Sequence, residues 1–235
     1  MRFFRPTLYC ILCKSAVATD NTFISDSKLC ICSDCERRIE KYTQAPVFEG
    51  RYSVGSVIAA YPYQDPMKEA FAEYKFRGQM RFYTIFGELL YNALSEYVKP
   101  NDFDAVVPVP MSEIRLSERG FNQAELLSRV VSDNLGTELF PNALYKTRNT
   151  LRQSELSGFL ERDRNVKGAY LADDRFVRNK KILLIDDIYT RGSTTGECAK
   201  ELLKKGAKKV VTAVLFKSHI HDTEKIEYEF KPVKD

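Results

Sequence analysis

The 235 residues, 44% of them hydrophobic, allow one large α/β domain with a real core plus a small appendage. With 36 Lys and Arg against 32 Asp and Glu, the net charge is only +4, too small to predict nucleic acid by itself; clustering of cations must decide that. Met1-Arg2-Phe3-Phe4-Arg5-Pro6 is too short and interrupted for a signal peptide, and no run approaches the ~18 apolar residues of a membrane span, so a cytoplasmic protein is expected.

The chain divides near residue 45. In residues 1–45, Cys10-Ile11-Leu12-Cys13 and Cys32-Ser33-Asp34-Cys35 are separated by 18 residues. Each Cys-x-x-Cys turn aims two thiolates at one point, and two turns complete a tetrahedron. A reducing compartment favours metal over disulfides. Four protein ligands leave no open position, so a structural zinc on Cys10, Cys13, Cys32 and Cys35 is expected. A redox pair and free thiols are the alternatives. Cys30 can replace Cys32 in principle, but Cys-x-Cys spacing suits a knuckle less well. Cys198, far away in a helical stretch, reads as a small core residue. A short polar helix is expected around residues 34–42.

Residues 46–55 read as a linker and 56–63 as a strand. Asp65-Pro66 predicts a helix start, with Asp as N-cap and Pro first; the helix runs to Arg77 and stops at Gly78. A second helix is expected over 81–98, with Phe82, Ile85, Phe86, Leu89, Leu90, Ala93 and Leu94 at helical spacing. Then come a buried strand at 106–110, a loop at 111–120, a helix at 122–135 and a weak strand near 138–140. A basic segment without periodicity spans 145–167. A strand at 181–185, a helix at 193–205 stopped by Gly206, a strand at 210–216 and a charged tail with a short strand at 226–230 complete the chain. This alternation over 46–235 implies an α/β domain with a parallel sheet and helices on both faces. Ligands then bind at the carboxyl ends of strands, where Pro110, Asp186 and Asp187 lie.

The apolar run Ile182-Leu183-Leu184-Ile185 ends in two carboxylates, Asp186-Asp187. It is followed by Ile188-Tyr189-Thr190-Arg191-Gly192-Ser193-Thr194-Thr195-Gly196. Hydroxyls and backbone N–H groups at a helix start stabilise an anion, and paired acids suit ribose hydroxyls, directly or through Mg²⁺. A plain strand followed by a helix N-cap is the alternative. In the loop after residue 110, Arg115, Arg119 and Gly120 can cradle a pyrophosphate, against a merely solvated loop with an Asn cap. Lys75, Phe76, Arg77 and Arg81, with Tyr74 and Lys68 nearby, suit stacking on unpaired bases and neutralising phosphates; helix-surface snorkelling explains them equally well. Arg148, Arg152, Arg162 and Arg164 supply further cations in a segment that reads either as a mobile loop over a phosphate site or as a solvated excursion. His219 and His221 lack a third metal ligand.

The strand, acid pair and Thr/Gly/Ser turn resemble the phosphoribosyl-pyrophosphate (PRPP) motif of type I phosphoribosyltransferases. Over nearly the whole chain the motifs resemble the ComF family of competence-associated proteins. They comprise the four-cysteine knuckle, Lys75-Phe76-Arg77-Gly78, Val107-Pro108-Val109-Pro110 and Arg119-Gly120-Phe121-Asn122-Gln123. Gln153, Arg162, Asn165-Val166-Lys167-Gly168-Ala169 and the acid pair complete the set. The resemblance implies a type I phosphoribosyltransferase-like domain behind a zinc knuckle, with PRPP and Mg²⁺ at Asp186, Asp187, Thr190, Arg191, Gly192, Ser193 and Thr194. It implies a role in natural transformation: handling single-stranded DNA in the cytoplasm, peripheral to the membrane at most, beside a ComFA-type DNA translocase and recombination mediators. The second reading is an active phosphoribosyltransferase, with Asp186 and Asp187 stabilising the oxocarbenium ion; no base-gripping hood is visible for it. One departure is Thr190-Arg191-Gly192, where the family motif has Thr-Thr-Gly.

Overall fold

The computed structural model describes residues 8–17, 22–24, 29–39, 47–49, 55–76, 79–148 and 165–218. The expectations placed on Arg77, Gly78, Arg152, Gln153, Arg162, Arg164, His219, His221 and the strand at 226–230 lie outside them. Among the described residues no helix is long and apolar enough to cross a membrane.

The N-terminal unit is a four-stranded sheet of β1 (Leu8–Cys10), β2 (Ala16–Val17), β3 (Thr22–Ile24) and β4 (Leu29–Cys32), in the order β2-β1-β4-β3, with the short helix α1 (Ser33–Arg38) after it. The expected linker is instead partly strand. β5 (Val47–Glu49) pairs antiparallel with β6 (Ser56–Pro62) and forms one edge of the main sheet. The physical reason is that β6 would otherwise leave a row of backbone donors and acceptors open.

Helix α2 (Met67–Phe76) begins after Asp65-Pro66. Lys68 N–H donates to the Gln64 carbonyl at 2.9 Å and Ala70 N–H to that of Pro66, so the start falls one residue later than the sequence predicts. A 3-10 turn, Met80–Phe82, runs into α3 (Tyr83–Leu94). β7 (Ala105–Pro108) follows. The next segment differs from expectation: it is a helix, α4 (Glu113–Arg119), ended by Gly120 in the left-handed region. Its Ser112 start and Gly120 stop are ordinary helix signals, which the many charged residues between them disguise. α5 (Gln123–Leu135) is capped by Asn122, whose side chain accepts from Ala124 N–H at 3.1 Å.

β8 (Leu144–Lys146) and β9 (Tyr170–Ala172) pair as an antiparallel ribbon, which sets Lys146 opposite Tyr170. After α6 (Asp174–Val177) comes β10 (Lys181–Tyr189), longer than its apolar run: it continues through both acids. α7 (Ser193–Lys204) and β11 (Lys209–Lys217) complete the described chain.

The main sheet has the order β5-β6-β11-β10-β7, and β6, β11, β10 and β7 are all parallel. Period-two alternation sorts its side chains. Leu183 and Ile185 join Val106, Val211, Ala213 and Leu215 in a cluster with α2, α3 and α5. Ile182 and Leu184 join Ala105, Val107 and Val210 in a second cluster with α7 and the β8–β9 ribbon. Both faces are therefore covered, as near-continuous apolar strands require.

The knuckle does not stand apart. Leu8, Ile11, Leu29 and Ile31 belong to the same buried cluster as Phe82, Ile85 and Phe86. Lys14 Nζ donates to the Ile11 carbonyl at 2.8 Å and to Glu73 Oε2 of α2 at 2.6 Å, and lies 5.4 Å from the centroid of the Phe82 ring.

Gly87 lets α3 and α5 approach closely: a Cβ there would fall 2.5 Å from Val130 Cβ. Alanine is the better helix former, yet Gly87→Ala should destabilise the protein by roughly 1–3 kcal/mol, the usual cost of overpacking. Urea unfolding followed by circular dichroism checks this; an unchanged or raised midpoint would show that the two helices have room to separate.

Candidate functional site

The carboxyl edge of the parallel sheet assembles the site, and β10 is its axis. Successive strand residues face opposite sides, so Asp186 and Asp187 diverge. Asp187 follows Leu183 and Ile185 toward α2, where its Oδ2 accepts from Lys75 Nζ at 2.6 Å; the two side chains are only 14% and 16% exposed. Lys75, expected among the nucleic-acid cations, is thus a member of the acid site. Tyr74, expected beside it as a stacking ring, is fully buried against Phe71, Phe86 and Phe121.

Asp186 follows Ile182 and Leu184 to the other face. Its Oδ1 accepts from Asp187 N–H at 2.8 Å. Burial, then the charge of Asp187, push its carboxyl up to about 7, while Lys75 and Lys146 pull the other way. Burial and the charge of Arg115 in turn push Lys146 down to about 8. Lys146 Nζ lies 5.3 Å from the centroid of the Tyr170 ring. Burial, with Cys198 and Asp186 close by, raises the Tyr170 phenol, and a hydrogen bond with Thr194 opposes the rise. Cys198 is a buried residue, as expected, and its thiol is pushed up chiefly by desolvation. Sequence reasoning placed Lys146 only among the cations of the basic segment and missed Tyr170 as a site residue. The available signal was alternation in the β8–β9 ribbon, where Tyr145 is exposed, Lys146 is half-buried and Tyr170 is buried.

The turn after β10 needs glycine. Gly192 has φ +86°, and a Cβ there would lie 2.3 Å from the Tyr189 hydroxyl oxygen, which donates to the Arg191 carbonyl at 3.4 Å. Gly192 O accepts from Gly196 N–H at 2.7 Å and Thr195 Oγ1 at 3.3 Å, which starts α7. Thr190, Arg191, Ser193 and Thr194 surround this helix start, where anions are stabilised.

Arg115 and Arg119 lie on α4, not in an extended loop as expected. Four apart, they share one helix face. Arg115 lies close enough to Lys146 and Tyr170 to act on both electrostatically. The Arg119 guanidinium is 5.1 Å from the Phe76 ring centroid, and its Nη1 donates to Gln123 Oε1 at 3.1 Å. Arg81 is exposed, with its Nε donating to Gln79 Oε1 at 3.3 Å. Arg148, also exposed, donates to the Lys167 carbonyl at 2.8 Å. The donor set fits a phosphorylated sugar with a divalent cation: two acids, two lysines, a guanidinium and a hydroxyl-rich helix start.

A second cluster lies in the knuckle. One sulfur from each of Cys10, Cys13, Cys32 and Cys35 falls within 4.8 Å of all the others, with Cys13 and Cys32 Sγ 3.8 Å apart. Tetrahedral zinc with Zn–S near ~2.3 Å needs sulfurs roughly 3.8 Å apart, so the four thiols can hold a metal ion. Cys32 N–H also donates to Cys10 Sγ at 3.5 Å. Cys30 is outside the cluster and buried in the core. Hydrogen bonds from Ser15 hold the Cys13 thiol down to about 6, whereas burial raises those of Cys32 and Cys35.

The parallel sheet, its strand-end acids, the hydroxyl-rich helix start and the N-terminal four-thiol knuckle define a phosphoribosyltransferase-like α/β protein with a metal-type appendage. No family model matches the chain. Competence protein ComFC of Streptococcus pneumoniae is 30% identical over 229 residues, covering 86% of this chain and 97% of that protein. Competence protein F of Haemophilus influenzae is 27% identical over 229 residues, covering 89% and 96%. The chain belongs to the ComFC family of competence proteins. Among solved structures, a hypoxanthine phosphoribosyltransferase from Staphylococcus aureus superposes loosely, with a TM-score of 0.39 and 15% identity over 64% of this chain and 71% of that one.

The raised carboxyl of Asp186 has a consequence for stability. An unfolded Asp loses its proton near ~3.9, while native Asp186 keeps its own to about 7. Between those values the native state binds the extra proton, so this residue lowers stability as pH rises. Asp186→Asn should remove that loss. Its stability relative to wild type should climb from pH 4 to pH 7 and then level off. Denaturation midpoints across pH 4–8 measure it, and parallel curves for the two proteins would refute the buried, protonated acid.

Proposed function

We propose that the protein handles single-stranded DNA during natural transformation, in the cytoplasm, on a scaffold whose strand-end pocket binds PRPP with Mg²⁺. Membership of the competence family supports the DNA role. The observation that carries the pocket is the convergence of Lys75, Asp186, Asp187, Lys146 and Arg115 beside the Gly192 turn, although these residues come from four separate stretches of chain. Asp186 and Asp187 would meet the ribose hydroxyls and Mg²⁺. The Thr190–Thr194 turn would take the 5′-phosphate, and Lys146 with Arg115 the pyrophosphate. Mg²⁺ bound there would neutralise charge between the acids and the diphosphate. A ComFA-type translocase and recombination mediators are the partners such a role requires.

Zinc in the knuckle is part of this reading. Purified protein should contain about one equivalent of zinc, Cys32→Ser should lose it and Cys30→Ser should keep it. Because the knuckle shares its core with α3, stripping the metal with a chelator should also lower the main unfolding transition. Zinc retained by Cys32→Ser would break the assignment, and an unmoved transition would make the knuckle independent of the domain.

The DNA role is tested by fluorescence anisotropy with a ~30-nucleotide strand, which spans roughly two or more ordinary site sizes. Binding should prefer the single strand to duplex and weaken steeply with salt. Changing Arg81 and Arg148 together to Ala should flatten the log–log salt slope by up to about 1.4, or roughly 0.7 for each phosphate no longer neutralised. Separately, calorimetry should show that Asp186→Asn/Asp187→Asn weakens PRPP binding in the presence of Mg²⁺. No strand binding at low salt, or equal affinity for duplex, would end the DNA reading. Unchanged PRPP affinity in the double variant would end the pocket assignment.

A further inference from the structure

Phe76 closes α2 with 64% of its surface exposed, one residue after the lysine that holds Asp187. The Arg119 guanidinium stacks near its ring at 5.1 Å and is oriented by the buried side chain of Gln123. Helix α4 buries none of its residues, and its Ile114 and Leu116 are 53% and 42% exposed. A helix that buries nothing adds little to the core. It places an apolar edge and two guanidiniums beside Phe76 and Lys146.

We propose that Phe76 and Arg119 form a platform for one unpaired base of a single-stranded nucleic acid, whose backbone phosphate meets the Arg115–Arg119 face of α4. The inference rests on the DNA-handling reading and adds where the strand lies. Charge selects this occupant. The half-buried Arg115 and Arg119, with the exposed Arg81 five residues after Phe76, suit a polyanion that carries aromatic faces; a purely apolar partner would leave the guanidiniums poorly solvated. Duplex DNA keeps its base faces stacked inside and offers none to Phe76, so the platform also supplies the preference for single strands. Arg119 lies against Phe76 and Arg115, on the same helix, acts on Lys146 of the acid site, so a strand that follows the Arg115–Arg119 face approaches that site. PRPP and the strand therefore compete for one site.

The test uses the full chain and a single strand containing one 2-aminopurine. Stacking on Phe76 should quench its fluorescence on binding to wild type. Phe76→Ala should raise Kd between about fivefold and about a hundredfold, the range expected for losing one base–aromatic stack, and should abolish the quench. Phe76→Trp should retain both affinity and quench. Circular dichroism should show both variants folded, since the ring is largely exposed. PRPP with Mg²⁺ should raise the apparent Kd of wild type for the strand. Wild-type affinity and quench in Phe76→Ala would overturn the platform and leave the patch to a protein partner, with the DNA reading intact. Simultaneous saturation by PRPP and the strand would overturn the shared site. A wild-type protein that binds no strand would remove the platform and the DNA reading together.

Discussion

Strand β10 runs on through its two carboxylates, and the pleat then sends them to opposite faces of the sheet. Each acid has to be compensated from a different layer. On the α2 face, Lys75 answers Asp187 directly, in a pair largely withdrawn from water. On the α7 face, Asp186 has Lys146 nearby, and burial keeps its carboxyl protonated well above the usual range. Two adjacent residues of one type therefore differ in setting: Asp187 is paired with Lys75 at 2.6 Å, and Asp186 is buried with its carboxyl pushed up to about 7. A ligand entering here would meet one acid already paired with a lysine and one that can still give up a proton.

The same geometry explains which parts of the site were legible in the sequence. Local signals were strong. The apolar run before Asp186, the glycine at 192 and the two Cys-x-x-Cys turns carry their chemistry within a few residues, and each lies where its pattern predicts. The parallel sheet followed from the alternation of strands and helices. Long-range partners were not legible. Nothing near Lys75 says that its ammonium group reaches a carboxylate 112 positions away, and a cation on a helix end reads as solvated until its partner is known. Tyr74 and Phe76 look alike in sequence as aromatics among cations. α2 turns one into the core and the other into solvent, because they stand two apart on a helix and so face different ways. α4 was hidden for a different reason. Its exposed surface is mixed and it lacks the apolar stripe that sequence periodicity detects.

Helix α2 links the two clusters of chemistry. On its knuckle side, Glu73 accepts from Lys14, the residue that follows Cys13 and stands in the left-handed region with φ 63°. Two positions later, Lys75 reaches Asp187. Between them Tyr74 is locked among Phe71, Phe86 and Phe121. The helix is pinned to the knuckle, to the aromatic core and to the strand-end acid within three consecutive residues. A metal that fixes the Cys10–Cys13 turn fixes Lys14, and through Glu73 it constrains the segment that presents Lys75. The close packing of the ring cluster leaves little slack to absorb a shift. The four-thiol unit is thus part of the structural support of the pocket, although more than 150 residues of sequence separate Cys13 from Asp186.

This arrangement also accounts for the placement of the exposed groups. Phe76 is the first residue of α2 beyond the three that are pinned, so its ring projects from a rigid base; Arg119 reaches it from a helix whose end is fixed by Gly120 and by the Gln123 contact. A side chain held at its root but open at its tip loses little conformational freedom when a flat ligand settles on it, which favours binding over a ring on a mobile loop. Arg115, four residues earlier on the same helix, leans to the Lys146 side. α4 therefore sets Arg115 on the Asp186 side of the site, while Arg119 lies against Phe76, the residue after Lys75. The divergence of Asp186 and Asp187, which begins as the pleat of a single strand, continues outward as two sets of cations around the pocket mouth.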